Sequence, residues 1–178
     1  MSSIMPGGWP ALRRAAMQAV GGRVGHSAGE RGFSDAAPRE GGDMEDKICA
    51  LLVHDGRGDQ LSSLKQNLDD IVGVAKTCGE AAHYLQKPNP PHLVFTDTAM
   101  PDGTWRDVLK LAAKAPRPVN VIVVARDANF KLYIEARDQG AFDLIATSSS
   151  RPLVAEALED AAADVFQRRE VQELLMLG

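Results

Sequence analysis

Five short apolar runs, each followed by an amphipathic stretch, constrain what this chain can fold into more than any other feature. They are Ile48–Val53 (ICALLV), Ile71–Ala75 (IVGVA), His92–Thr96 (HLVFT), Asn120–Ala125 (NVIVVA) and Asp143–Ala146 (DLIA). A continuous apolar run of this length, bounded by turn residues, is the pattern of a strand covered on both faces. The intervening stretches carry helical spacing. Leu61, Leu64 and Leu68 recur at three- and four-residue intervals, and Glu80–Gln86 is closed by Lys87-Pro88. Asp107–Ala115 places Val108, Leu109, Leu111 and Ala112 on one face, and Asn129–Gln139 stops at Gly140, a residue suited to a helix C-terminus. The last helix is expected from Leu153 to about Leu175, with Ala155, Leu158, Ala162, Val165 and Phe166 as its core stripe. Five strands alternating with five helices predict an α/β fold, a parallel sheet with helices on both faces. Such sheets carry their sites at the carboxyl ends of the strands.

The 178 residues suit one domain with an appendage. Residues 44–170 are expected to form the domain and 171–178 an extension of its last helix, in which Val171, Leu174, Leu175 and Leu177 offer a homodimer contact. Residues 1–43 are rich in Gly, Ala, Ser, Pro and Arg, with no sustained apolar period. Such a segment cannot bury enough surface to offset its ordering entropy. It reads as a disordered tail, as an Arg-bearing targeting peptide, or as the product of a start assigned too early, with Met44 the true start. Five arginines against Glu30, Asp35, Glu40 and Asp43 give this segment +1, so the remainder carries −5 of the total −4. An acidic domain is a poor ligand for nucleic acid, which needs clustered cations. No apolar run reaches the ~20 residues of a membrane span, so a cytoplasmic protein without membrane or nucleic-acid partners is expected. Cys49 and Cys78 have no CxxC partner and read as reduced core thiols.

At the strand ends stand His54-Asp55 after the first run, Asp97 after the third, Val124-Ala125-Arg126-Asp127 at the fourth and Thr147-Ser148 after the fifth. Asp55 and Asp97 would meet from neighbouring strands. Such oxygen ligands suit Mg²⁺, which often relies on one or two carboxylates. A carboxylate placed like Asp97 can also act as a nucleophile toward a phosphoryl group. Each aspartate taken alone reads equally as a helix cap or turn former.

The apolar strand ending in His54-Asp55, the run Asp97-Thr98-Ala99-Met100-Pro101, and Gly140-Ala141-Phe142-Asp143 before the last strand resemble the response-regulator receiver domains of two-component signalling. The resemblance spans residues 47 to about 168. It implies a flavodoxin-like three-layer αβα sandwich, with a five-stranded parallel sheet in the order 2-1-3-4-5 and five helices. It further implies a phosphorelay role in which a histidine kinase or phosphotransfer protein delivers a phosphoryl group to Asp97. Mg²⁺ would be held by Asp97, Asp55 and the Ala99 backbone carbonyl, with His54 a weak further ligand. Catalysis would be limited to self-phosphorylation and dephosphorylation at Asp97.

Several positions depart from the family pattern. His54 stands where a second acid is usual. Val124 takes the place of the hydroxyl residue that bonds the phosphoryl group, and Thr147 that of the lysine that pairs with it. Ser148 replaces the following proline, and Leu144 the aromatic residue whose swing reports activation. Arg126 is a candidate substitute cation. Phosphorylation is therefore expected to be weakened, with output through protein–protein contacts, for which Phe130 and Tyr133 on the fourth helix are the candidate face. The alternative is a pseudo-receiver, a phosphorylation-independent protein-binding module. A haloacid-dehalogenase-like phosphohydrolase would need a second acid two residues after Asp97, where this chain has Ala99, with Asp102 three residues later. Trp105 reads as a packing anchor or as a lid over the site.

Overall fold

In a computed structural model, residues 48–57, 61, 68 and 70–178 are described. The expected tail and most of the helix expected after the first strand lie outside the described residues. Strands β1 (Cys49–Val53), β2 (Asp70–Ala75) and β3 (Leu93–Asp97) follow the first three apolar runs. A short hairpin unforeseen in the sequence follows, β4 (Ala99–Met100) paired antiparallel with β5 (Gly103–Thr104). Strands β6 (Asn120–Ala125) and β7 (Asp143–Ala146) match the last two runs. The main sheet has the order β2-β1-β3-β6-β7, all parallel. With the hairpin set aside, this is the expected 2-1-3-4-5.

Four helices lie among the described residues: α1 (Cys78–Leu85), α2 (Trp105–Ala113), α3 (Phe130–Asp138) and α4 (Arg151–Met176). The first two begin two residues earlier than the apolar spacing indicates, because their caps lie further back. Thr77 caps α1 through its hydroxyl, which accepts the Glu80 N–H at 3.0 Å. For α2, the Asp107 carboxylate reaches back to the Thr104 N–H at 3.0 Å. Asn129 caps α3 by accepting the Leu132 N–H at 2.9 Å. Gly140 follows with φ +100°, a left-handed turn that glycine makes without strain.

Side chains alternate across the strands. Ala50, Leu52, Leu93, Phe95, Ile122, Val124 and Ile145 form one core cluster with Leu61 and with Val154, Ala157, Leu158, Ala161 and Val165 of α4. The opposite parity, Leu51, Val53, Val94, Val121, Val123 and Leu144, is buried on the other face. The stripe expected on the last helix is thus rotated. Ala155 and Phe166 are only half-buried, and Val154, Ala157 and Ala161 fill the core instead. Phe166 packs against His92 at a tilt, with ring centroids 4.9 Å apart. At Gly73 the backbone of β2 passes so close to Tyr84 that an added Cβ would lie 2.4 Å from its hydroxyl.

The amino-terminal edge of the sheet is held by polar groups that the apolar pattern does not reveal. Arg169 is buried on α4, donating from Nε to the Pro118 carbonyl at 2.9 Å and from Nη2 to the carbonyls of Pro90 and Pro91 at 3.0 and 2.9 Å. Asn120 donates to the Ala161 carbonyl and to Asp164, both at 2.8 Å. His92 Nδ1 accepts the Cys49 N–H at 3.1 Å. Burial, then the charges of Arg169 and Arg117, push the His92 pKa down to about 4. No helix among the described residues is long and apolar enough to cross a membrane.

Candidate functional site

Residues Val53 and Thr96 are register partners on β1 and β3, so Asp55 and Asp97 leave the same edge of two adjacent strands. Asp97 is the last residue of β3 and lies opposite Val124 of β6. By alternation Asp97, Val124 and Thr147 share the parity of Phe95, Ile122 and Ile145. The apolar core therefore runs directly up to the floor of this rim: Val124 is 1% exposed and belongs to the core cluster.

The four residues after β1 form a turn that uses its own donors. Gly56 adopts φ +80°, and its N–H donates to His54 Nδ1 at 3.1 Å. The Arg57 N–H donates to Asp55 Oδ1 at 2.8 Å, an Asx-type turn, and the Arg57 Nε lies 3.7 Å from Asp55 Oδ2. Across the rim, Asp97 Oδ1 accepts from the Thr98 N–H at 2.6 Å and from the Thr98 hydroxyl at 3.3 Å.

Beyond Asp97 the chain folds into the β4–β5 hairpin. Thr96, fully buried, donates its hydroxyl to the Asp97 carbonyl at 3.0 Å and lies 3.8 Å from the buried Met100 sulfur. Ala99 is exposed in β4, paired with Thr104. Asp102, at the hairpin tip, accepts the Cys78 N–H at 2.7 Å and the Gly79 N–H at 3.0 Å, which ties the hairpin to the start of α1. These two N–H groups hold its carboxyl below the usual range. Asp102 is thus engaged as a cap, away from the position two residues after Asp97 that a dehalogenase-like site needs. Burial, then the Asp102 and Asp107 charges, raise the Cys78 thiol to about 11. Trp105 is buried at the first turn of α2 with the Arg106 guanidinium 4.7 Å over its ring, an anchor rather than a lid.

The remaining candidate residues are also placed. Leu144 is buried, paired with Val123. Thr147 is half-buried, its N–H donating to the Ala125 carbonyl at 3.0 Å. Arg126 follows β6 and is exposed. On α3, Phe130 is 58% exposed, whereas Tyr133 is half-buried; the exposed residue one turn from Phe130 is Ile134. The helix places the pair at i and i+4 on one face, so Ile134, absent from the sequence reading, extends that patch.

The expected metal ligands already hold partners within the chain. Mg²⁺ demands near-octahedral oxygen coordination. Here His54 Nδ1 is taken by a backbone N–H, and both oxygens of Asp55 face Arg57. Among the described residues no group of three or more His, Cys, Asp or Glu could hold a metal.

No family model matches the chain, and no curated protein sequence matches it. Solved structures do. The non-phosphorylated HemR receiver domain from Leptospira biflexa matches at a TM-score of 0.52 and 26% identity, over 65% of this chain and 94% of its own. A CheY-like response-regulator receiver protein from Methanospirillum hungatei JF-1 matches at 0.56 and 22%, over 68% and 98%. The fold is that of a response-regulator receiver domain. A structure described as adenylate cyclase from Rhodopirellula baltica matches at a TM-score of 0.62 and 22% identity, over 73% of this chain and 98% of its own. In this chain Asp55 and Asp97 follow neighbouring strands of that fold. Val124 lies opposite Asp97 in the sheet, and Arg57 pairs with Asp55.

Proposed function

We propose that this receiver-fold chain is a cytoplasmic signalling module that works through protein–protein contacts and accepts a phosphoryl group on Asp97, in a state that is only weakly held. The observation that carries the proposal is Asp97 at the carboxyl edge of β3, with Asp55 leaving the adjacent strand. In the transfer, a carboxylate oxygen of Asp97 forms a new P–O bond. The donor's P–N bond breaks and its imidazole leaves, or the P–O bond of acetyl phosphate breaks and acetate leaves. The Thr98 N–H already holds Asp97 Oδ1, which leaves Oδ2 as the attacking atom.

Stabilisation of the product is where this chain is poor. Val124 has no hydroxyl and Thr147 no charge. Each missing hydrogen bond to a charged group is worth about 1.5–3 kcal/mol. Intact mass after incubation with acetyl phosphate or a cognate histidine kinase is expected to show one added phosphate, absent in Asp97→Asn. No adduct with any donor would overturn the proposal.

A second reading, the pseudo-receiver, is favoured by the burial of Leu144 and Val124 at positions where a switching receiver needs movable or polar side chains. It expects capture of the same partner by the wild type and by Asp97→Asn. Loss of capture in the variant would count against it.

A further inference from the structure

We propose that Arg57 is a tethered cation that takes, beside Asp55, the place of a divalent ion at this rim. The inference deepens the receiver reading and rests on it for the identity of the rim. It does not require that Asp97 be phosphorylated.

The geometry begins with Gly56, whose left-handed φ of +80° folds the chain back on itself. That turn returns the Arg57 N–H to Asp55 Oδ1 at 2.8 Å and brings Nε to 3.7 Å from Oδ2. Only Gly56 separates the groups in the chain, so the guanidinium cannot diffuse away from the carboxylate. Asp55, Asp97 and Arg57 together carry a formal charge of −1. The neutral His54, which accepts the Gly56 N–H at Nδ1, adds nothing to it. A divalent ion approaching Asp55 therefore meets a resident positive charge and a carboxylate already partnered on both oxygens.

The Arg57 side chain is largely exposed, 89%, so its effect is that of a surface ion pair, about three- to fivefold in affinity. Arg57→Ala removes the charge and keeps the backbone N–H that makes the turn. The test is a Mg²⁺ titration of the full chain, followed by the ¹⁵N–¹H signals of Gly56 and Thr98. Three proteins are compared: wild type, Arg57→Ala and Arg57→Lys. The expected result is tighter Mg²⁺ binding in Arg57→Ala by about three- to fivefold, with Arg57→Lys close to wild type because it keeps the charge. Binding in Arg57→Ala within twofold of wild type, including no binding in either, would overturn the proposal. Equal tightening in Arg57→Lys would overturn it too. This readout is independent of the mass measurement: an unphosphorylated Asp97 leaves the Arg57 result standing, and the reverse holds.

Discussion

Replacing Arg169 by alanine tests how the last helix is fixed to the sheet that carries the rim. Arg169 is 5% exposed, and its guanidinium donates to three carbonyls, those of Pro90, Pro91 and Pro118, at 2.9–3.0 Å. A hydrogen bond to a charged group contributes about 1.5–3 kcal/mol, so three sum to about 5–9 kcal/mol before any offset. Burying the cation costs several kcal/mol, and the structure registers that cost: burial, then repulsion from Arg117, draws the Arg169 pKa down to about 10. The difference is a net loss of about 2–4 kcal/mol in Arg169→Ala, a drop of about 10 °C in Tm for a domain of this size. Urea unfolding followed by far-UV circular dichroism measures it. A second readout comes from His92, whose pKa is held down partly by the Arg169 charge and is expected to rise in the variant. A stability within 0.5 kcal/mol of wild type, a difference at the level of surface substitutions, would refute the reasoning. It would mean that water replaces the guanidinium on those carbonyls at no cost.

Other expectations follow from the same geometry. His92 has a folded-state pKa of about 4 against 6.5 when unfolded, so folding favours its neutral form. Its contribution is complete above pH 6.5 and is lost as the pH falls toward 4. The difference corresponds to about 3 kcal/mol in full, reduced to about 1–2 kcal/mol by the solvent contact of a half-buried ring. Urea unfolding at pH 7 and pH 4.5 is expected to show that loss in wild type and a smaller one in His92→Gln; equal losses would contradict it. Combining Val124→Thr with Thr147→Lys restores one hydroxyl and one ammonium at the rim. The Asp97 adduct is expected to rise at least about tenfold at a fixed acetyl phosphate concentration. Val124→Thr alone is expected to lower Tm, because it brings a hydroxyl into the apolar cluster; a phosphate-bearing fraction unchanged in the double variant would go against the account.

The sheet was legible in the sequence because its strands are buried on both faces, so each reads as an unbroken apolar run such as NVIVVA. Helix ends were less legible. The starts of α1 and α2 are set by Thr77 and by the Asp107–Thr104 contact, polar groups that lie outside the apolar period. The β4–β5 hairpin was missed because two-residue strands carry no periodicity. That Asp55 and Asp97 follow neighbouring strands came from strand order alone. Arg57 did not stand out, since its pairing depends on a glycine φ that a bare sequence does not display. A Gly-flanked arginine two residues after a strand-end aspartate was the available signal. Arg169 was hidden for a different reason. An arginine in a charged run reads as solvated, and only the proline carbonyls brought beneath it by the fold make it a buried group.

The central claim is that Asp97, and no other residue, receives the phosphoryl group. Borohydride reduces an acyl-phosphate to the alcohol, so a phosphorylated aspartate becomes homoserine and is located by peptide mass spectrometry. After treatment with acetyl phosphate, homoserine is expected at position 97 only, in a minor fraction of molecules. Homoserine at position 55 or at another aspartate, or none at position 97 alongside a phosphate adduct in the intact protein, would contradict it.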